Sequence, residues 1–474
     1  MSDDAGATSI KLFGIYTAAR VVGFLGLAYF TRVLSKELLG IYFLFFLVVQ
    51  VTSLVSNLGL TQALVTKVNE QERPDAVFSA TLAVVTAVVL VITAAVYLFR
   101  TPLADYIGAD VPLLIATATA SWLVADIQKT GLEAEDRVLT SGLLQLTEDV
   151  LRVGVGGVLI TIGFGPVGLM YGIIAGFAGS AVIGYLMTGL TVVLPRKEDF
   201  RRIFSVSRYT MVYGPTNFMY FWLDTYMIGL LIGPAAVSAY EVGWNTTRVL
   251  IIATSAISTT IFPKVSRWAA EEDFDEIERV IPGTVLFTLV FPVPGLVGLT
   301  VLGPEILTLV YTPEYLDAVI PMAILATYMV TEAVQRVCNP ILTAIDAAHV
   351  PFRSRLIGVG VAVVLNVTLI PEIGLIGAAI ATFAAKFVDT AIQWRSLFAR
   401  LDVELPVRSV LWEFASAALM GLTVYGATLL HRPGSLLELF AYVGLGAGVY
   451  AVLVTRDPEI KGVVEQYLPV DVPL

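Results

Sequence analysis

Five cationic residues interrupt stretches of the sequence that are otherwise strongly apolar. They are Arg20, Arg152, Arg248, Arg336 and Lys386. A central arginine or lysine in a membrane helix costs about 2.5–3.5 kcal/mol, so these side chains are expected to face protein or a water-filled cavity. Their chemistry is the binding of negative charge, and the planar fork of arginine suits a phosphate in particular. The residue types therefore predict the binding of an anion within the membrane.

Internal ion pairing is the alternative for three of these cations, because residues three or four positions apart share a helix face. The candidate pairs are Arg152 with Glu148 or Asp149, Arg336 with Glu332, and Lys386 with Asp389. Such pairs would act as neutral internal struts rather than as binding groups. The sequence leaves both interpretations open for these three cations.

The other two cations lack an acidic residue at that spacing. Arg20 has none three or four positions away, and Glu241, the nearest acidic residue to Arg248, lies two turns earlier. Arg20 and Arg248 are therefore the first candidates for holding the phosphate of a ligand. The three cations with acidic neighbours are the second candidates.

Acidic residues also fall in the apolar stretches and pose the converse question. Asp126, Asp224 and Glu241 could each pair with an arginine of another helix. Alternatively, each could bind a coupling proton or sodium ion, as intramembrane carboxylates do in transporters.

The elements that position these residues must be membrane-spanning helices. The chain has 474 residues, of which 57% are hydrophobic and 14% charged, and its mean hydropathy is +0.82. At roughly 20 apolar residues per span, this length allows about 12 to 15 passes. Apolar runs bounded by charge, proline and glycine predict an all-α polytopic protein with about fourteen helices. The second covers residues 38–65, and the eleventh and twelfth cover residues 356–370 and 373–395.

The distribution of positive charge predicts the orientation. With the N-terminus in the cytoplasm, twenty of the 29 lysines and arginines fall in inside connections and tails, whereas four fall in outside connections. By the positive-inside rule, both termini are expected in the cytoplasm of a multi-pass cell-membrane protein. The basic residues 196–208 alternate with apolar ones and predict a short interfacial helix.

Several function classes are disfavoured by composition. A single cysteine, Cys338, and two histidines argue against a metal or haem site, and no metal ligand set or cofactor is expected. The sequence has no phosphate-binding GxxxxGK[ST] run, which argues against direct use of ATP. A net charge of −10 argues against a nucleic-acid partner. Short predicted loops leave little material for a membrane glycosyltransferase.

Two pairs of segments echo one another about 200 residues apart. Residues 34–42, LSKELLGIY, resemble residues 232–240, IGPAAVSAY, and residues 166–172, PVGLMYG, resemble residues 372–378, EIGLIGA. The echoes predict two six-helix lobes, with a substrate site in the cleft between them walled by helices one, two, seven and eight. The predicted parts are the N-terminal lobe (1–195), a basic linker (196–208), the C-terminal lobe (209–400) and two extra helices with a tail (401–474).

Residues 364–382, VLNVTLIPEIGLIGAAIAT, carry the most specific family signal. Supporting segments are residues 30–42, 57–59, 262–267 (FPKVSR) and 311–315 (YTPEY). Together they resemble the polysaccharide transporter, or oligosaccharide flippase, family of the multidrug/oligosaccharidyl-lipid/polysaccharide exporter superfamily. The resemblance implies a fold like that of MATE and MurJ proteins, and a flippase that turns a lipid-linked sugar from the cytoplasmic to the outer leaflet by alternating access.

The same resemblance implies specific roles for individual residues. In the related branch that moves the peptidoglycan lipid precursor, cavity arginines lie on helices one and eight, which here carry Arg20 and Arg248. That branch also implies an ion site at Asp224, Asn366 and Thr382. Lys386 lies one turn beyond Thr382 and could supply a fixed cation in its place, which leaves the coupling ion (Na⁺ or H⁺) or membrane potential open.

The implied partners are a lipid-linked glycan carried on a polyprenyl or dolichyl phosphate or pyrophosphate, membrane lipids and glycan-assembly enzymes. The alternative within the superfamily is a MATE-type cation or drug antiporter. Such exporters favour an acidic cavity, whereas the first lobe here offers Arg20.

Overall fold

The computed structural model describes residues 2–57, 59–69, 73–210, 213–251 and 264–467. Every regular element within these ranges is a helix, as the sequence predicts. The chain divides into two compact units, Met1–Ser238 and Ala239–Leu474.

The first unit contains ten helices and the start of an eleventh within the described ranges. They are α1 (Ser2–Val33), α2 (Lys36–Asn57), α3 (Leu60–Asn69), α4 (Pro74–Leu98), α5 (Arg100–Ile107), α6 (Pro112–Ala134), α7 (Val138–Thr161), α8 (Gly165–Met187), α9 (Lys197–Thr210), α10 (Tyr213–Leu231) and α11 (Pro234–Thr247). A 3₁₀ turn, Arg248–Ile251, follows α11 in the second unit.

The second unit continues after residues 252–263, which lie outside the described part of the chain. These residues include the first two of the FPKVSR segment. Its longer elements are α12 (Phe274–Leu289), α13 (Pro292–Val301), α14 (Gly303–Val310), a 3₁₀ turn (Pro313–Ala318), α15 (Val319–Ala344), α16 (His349–Phe398), α17 (Val407–Leu430), α18 (Leu436–Val454) and α19 (Pro458–Tyr467).

Nine helices of the described part are long and apolar enough to cross a membrane, and ten if the bent pair α5 and α6 forms one span. The protein is therefore a multi-pass membrane protein. The 24-residue α7 falls outside this set because Glu148, Asp149 and Arg152 interrupt its apolar sequence. The count of fourteen helices and the cytoplasmic placement of both termini stay predictions.

The second predicted helix is wrong as a single element. Residues 38–65 belong to α2 and α3, and Gly59 between them has φ +71°. Glycine adopts this left-handed conformation without the Cβ penalty of other residues, so it ends one helix and lets the chain turn into the next.

The eleventh and twelfth predicted helices form the two arms of α16. The break lies at Ile373 (φ −130°, ψ 15°) and Gly374 (φ +60°, ψ −133°). A methyl group on Gly377 would lie 2.4 Å from the Leu369 carbonyl oxygen, so the two arms approach closely at this glycine. The family-like segment 364–382 therefore encodes a tight helical corner.

The basic segment 196–208 is helical, as predicted, and forms most of α9. Its Ile203 is fully buried in a core cluster with Leu60, Leu64 and Phe78, so part of its apolar face packs on protein. Asp199 accepts the backbone N–H of Arg196 at 2.7 Å near the start of the helix.

Candidate functional site

Arg152 in the first unit has its predicted acidic partner. Its Nη2 atom donates to Asp149 Oδ1 at 2.6 Å, and both side chains are mostly buried. The guanidinium also lies 6.0 Å from the ring centroid of Phe46 on α2. Arg152 is thus held by one carboxylate and one aromatic ring.

Arg20 lies on the same side of α1 as the contact with Arg152. The Nη2 atom of Arg152 is 3.9 Å from the position that a Cβ of Gly23 would occupy. Gly23 is three residues after Arg20, and residues at that spacing share a helix face. Arg20 itself is exposed.

A second ion pair lies one turn away on α7. Lys129 Nζ is 3.0 Å from Glu148 Oε2 and 3.1 Å from Gln145 Oε1. Lys129 lies within α6, five residues before the helix ends. It is therefore a further helix cation beside the five named from the sequence, and it takes Glu148 as its partner.

Glycines on α8 fix the backbone that carries these charges. A methyl group on Gly172 would lie 2.6 Å from the Arg152 carbonyl oxygen, and one on Gly176 would lie 2.6 Å from the Glu148 carbonyl oxygen. The two backbones touch where the charged turn of α7 passes α8. Gly172 and Gly176 thus allow the backbone of α8 to contact the backbone of α7 at Arg152 and Glu148.

Lys386 in the second unit is enclosed by protein, with 3% of its side chain exposed. Its ammonium forms an ion pair with Glu332 of α15 and donates to Gln335 Oε1. The Nζ atom also lies 5.4 Å from the ring centroid of Tyr328. In this conformation Lys386 therefore joins the second arm of α16 to α15.

Glu332 is shared between two cations. The predicted pair with Arg336 is confirmed, since Arg336 Nε donates to Glu332 Oε1 at 2.9 Å. The other carboxylate oxygen contacts Lys386. One carboxylate and two cations thus form a compact ionic cluster on α15 and α16.

Asp389 is fully buried beside this cluster and accepts three hydrogen bonds. The donors are Gln335 Nε2 at 2.7 Å, Ser354 Oγ at 2.5 Å and Gln393 Nε2 at 2.9 Å. Three donors stabilise a buried carboxylate strongly. Gln335 donates to Asp389 and accepts from Lys386, so it links the two charged groups.

Arg248 lies beside an aromatic group. Its guanidinium is 5.5 Å from the Trp244 ring centroid, and Trp244 stacks with Tyr240 at 6.4 Å. The Trp244 ring is also 5.1 Å from the ring of Tyr328, the tyrosine that contacts Lys386. The rings of Trp244 and Tyr328 therefore lie between Arg248 and Lys386.

The residues of the predicted ion site are buried but divided between the units. Asp224 lies in the first unit, with 6% of it exposed, whereas Asn366 and Thr382 lie in the second. Asn366 Nδ2 donates to the Ala362 carbonyl at 2.9 Å. Thr382 donates to the Ala378 carbonyl at 2.9 Å, and the Tyr240 hydroxyl is 3.1 Å from its oxygen.

The remaining predicted acids differ in burial. Asp126 is half-buried on α6, and Glu241 is buried on α11. The Glu241 carbonyl and its Oε2 atom both accept from Asn245 Nδ2, at 2.8 and 3.4 Å. Their role in ion coupling stays a prediction.

Sequence reasoning missed the neutral members of these clusters. Gln393 lies four residues after Asp389, and a search for polar pairs at helical spacing could have found it. Ser354 and Tyr328 offer no such signal, because their contacts join different helical arms.

The chain is similar to a family of polysaccharide biosynthesis proteins and to two probable flippases. A family model described as polysaccharide biosynthesis protein matches residues 29–320. The probable low-salt glycan biosynthesis flippase Agl15 of Haloferax volcanii is 26% identical over 450 residues, which cover 95% of each chain. The probable flippase AglR of the same organism is 27% identical over 475 residues, which cover 99% of each chain.

Solved structures agree on the fold. The lipid II flippase MurJ in an inward closed conformation matches with a TM-score of 0.78 at 14% identity, covering 97% of this chain and 100% of that one. An inward-facing multidrug resistance MATE transporter matches with a TM-score of 0.65 at 14% identity, covering 82% and 94%. The fold is thus of the MurJ and MATE type.

Proposed function

Because this chain belongs to the polysaccharide biosynthesis protein family, we propose that it is a flippase that moves a lipid-linked sugar or oligosaccharide from the cytoplasmic to the outer leaflet. The match along 95% and 99% of the chain to two probable flippases, one of them named for glycan biosynthesis, carries this proposal. The product would enter surface polysaccharide or glycoprotein glycan assembly, and glycan-assembly enzymes would be its partners.

The cations of the two units support a phosphate-bearing substrate. A polyprenyl or dolichyl phosphate, or pyrophosphate, leaves its tail in lipid and must bring its charge through the apolar layer. Arg20 is exposed on α1 next to the Arg152 contact, and Arg248 is partly exposed at the end of α11. Arginine suits this group because its fork donates two parallel hydrogen bonds to phosphate oxygens.

Each cation takes a distinct role in this proposal. Arg20 and Arg248 meet the substrate phosphate, and Arg152, with 25% of its side chain exposed, assists. Arg336 and Lys386 share Glu332 and hold α15 against α16 in the conformation described. In the opposite conformation of an alternating-access cycle, these two cations would become available to phosphate.

The MATE-type antiporter has weaker support. The MurJ structure covers 97% of this chain, whereas the MATE structure covers 82%.

The test compares cells with and without the gene. Lipid-linked saccharides are measured by mass spectrometry, together with a surface probe that labels outward-facing glycan only. The proposal predicts that a sugar-lipid accumulates and stays inaccessible to the probe when the gene is deleted. Unchanged sugar-lipids with an altered tolerance to cationic drugs would support the antiporter instead.

A further inference from the structure

Glu413 is a fully buried acidic residue that no part of the proposed function uses. It lies on α17, with 0% of its surface exposed. In the described part of the chain, neither carboxyl oxygen has a hydrogen-bond partner. Glu413 belongs to the buried stripe of α17, with Ser409 four residues before it and Ser416 and Ala417 three and four residues after it.

Asp389 in the same unit provides a direct contrast. Both acids are fully buried, but Asp389 accepts from Gln335, Ser354 and Gln393 at 2.5–2.9 Å. These donors compensate for the loss of water around a carboxylate. An ionised Glu413 would receive no such compensation, and a buried carboxyl without a partner is held as the neutral acid.

In the described part of the chain, no cation is among the groups that interact electrostatically with Glu413. Of the helices packed on α17, α13 has no titratable side chain, and those of α12 lie in its first two turns. Tyr450 of α18 and Asp457 after α18 interact electrostatically with Glu413. Both are neutral or negative, so neither offers a counter-charge.

Polar side chains lie one turn from this acid, at the start of α17. Ser409 lies one turn before Glu413, and its Oγ is 2.7 Å from Glu459 Oε2 and 3.2 Å from Asp457 Oδ2. Glu459 is exposed, and Asp457 is partly exposed. Two carboxylates that can accept a proton and pass it to water are thus hydrogen-bonded to Ser409, one turn before Glu413.

We propose that Glu413 is the proton-binding site that couples this transporter to the proton gradient. The carboxyl holds a proton in the conformation described and releases it through the Ser409 end of α17 when the packing of α17 and α18 changes. The O–H bond of the carboxyl breaks, and the proton passes to the surface carboxylates and then to water. This coupling role rests on the proposed flippase function, whereas proton binding itself does not.

A proton fits this position better than a sodium ion. Sodium needs several oxygen ligands, whereas the described core around Tyr450 consists mainly of apolar side chains such as Ala417, Met420 and Val454. A proton neutralises a carboxylate without further ligands. The ionic content of the buffer should therefore have little influence on Glu413.

Infrared spectroscopy of the purified full-length protein tests proton binding without reference to transport. At neutral pH, the wild type should show the C=O band of a buried protonated carboxylic acid, which shifts in D₂O. The band should disappear in E413Q, move in E413D and persist in the matched control D389N. An unchanged band in E413Q, or no such band in the wild type, would overturn the proposal. E413D retains the acid and so keeps the test valid if E413Q folds poorly.

Coupling is tested in phosphatidylcholine–phosphatidylglycerol vesicles that contain a fluorescent polyprenyl-phosphate-glucose. An imposed pH gradient should change the wild-type flipping rate severalfold and leave the E413Q rate unchanged. A gradient response retained in E413Q would overturn the coupling role. If the wild type moves no probe, the proposed function and its coupling fail together, while the Glu413 infrared band still decides whether this residue binds the proton.

Discussion

At the scale of single residues, the structure distinguishes cations enclosed by protein from cations that are exposed. Lys386 is enclosed and shares Glu332 with Arg336, whereas Arg20 is exposed on α1. The first group stabilises the second unit in this conformation. A role of the exposed Arg20 in binding substrate phosphate is part of the proposed function.

Removal of the shared carboxylate should destabilise the protein. E332Q removes the charge that Lys386 and Arg336 share, and breaking a buried pair in this way costs about 3–5 kcal/mol. The matched control is E276Q, whose partner Arg279 has 68% of its side chain exposed and which should change stability by less than about 1 kcal/mol. Denaturant unfolding of the detergent-solubilised variants measures both. An equal loss of stability in the two variants would show that the Glu332 cluster does not stabilise the packing of α15 against α16.

Arg20 should be needed for transport and not for folding. R20A should lower sugar-lipid flipping at least about tenfold, since one lost charge-assisted contact to phosphate is worth roughly 1.5–3 kcal/mol. R20K, which keeps the charge but loses the fork, should be intermediate. R32A, an exposed arginine in the last turn of the same helix, serves as the control and should transport normally. Wild-type flipping by R20A at normal membrane abundance would remove Arg20 from the substrate site.

At the scale of elements, the spacing of residues along the sequence predicted the ion pairs within one helix. It did not predict the contacts that join two helices. The Glu332–Arg336 and Asp149–Arg152 pairs follow directly from helical periodicity. The contact of Lys386 with Glu332 depends on the register of α16 against α15, which a single sequence does not encode locally.

Helix corners show a similar division. The segment 364–382 was recognised from its sequence, but its physical role lies in Gly374, at φ +60°, and in the close approach at Gly377. The break between α2 and α3 was missed, because one glycine within an apolar run is a weak signal by itself. Periodicity therefore locates helices better than it locates their corners.

The corner of α16 should tolerate no side chain at its contact point. G377A places a methyl group 2.4 Å from the Leu369 carbonyl oxygen, and overpacking of this kind costs about 1–3 kcal/mol. The control is G360A on the same helix, where a Cβ would meet nothing within 4 Å. That change should be neutral or stabilising by up to about 1 kcal/mol, since alanine favours the helix. Thermal unfolding of both variants in detergent measures the difference in stability. A G377A protein as stable as G360A would show that the corner of α16 does not need the close contact at Gly377.

At the scale of the whole molecule, composition alone predicted a helical multi-pass membrane protein, and the segment 364–382 indicated its family. The MurJ-type fold agrees with both. The exact helix number, the orientation and the lobe boundaries still rest on charge bias and weak repeats. Those features depend on the bilayer and on contacts distant in sequence, which local patterns specify poorly.

Transport by this protein should not require sodium. Lys386 lies one turn beyond Thr382 on α16, and the Thr382 hydroxyl donates to the Ala378 carbonyl and lies 3.1 Å from the Tyr240 hydroxyl. Replacement of sodium by potassium or choline in proteoliposomes should therefore change the flipping rate less than about twofold. A steep sodium requirement would contradict this expectation.

The most direct test of the central claim is movement of a lipid-linked saccharide by the purified protein. Proteoliposomes are loaded symmetrically with polyprenyl-phosphate sugar, and a membrane-impermeant glycosidase digests the outer leaflet. The flippase account predicts that wild-type vesicles lose nearly all the sugar with time, whereas protein-free and R20A vesicles retain the inner half. Retention of that half by wild-type protein that exports a cationic dye in the same vesicles would contradict the account.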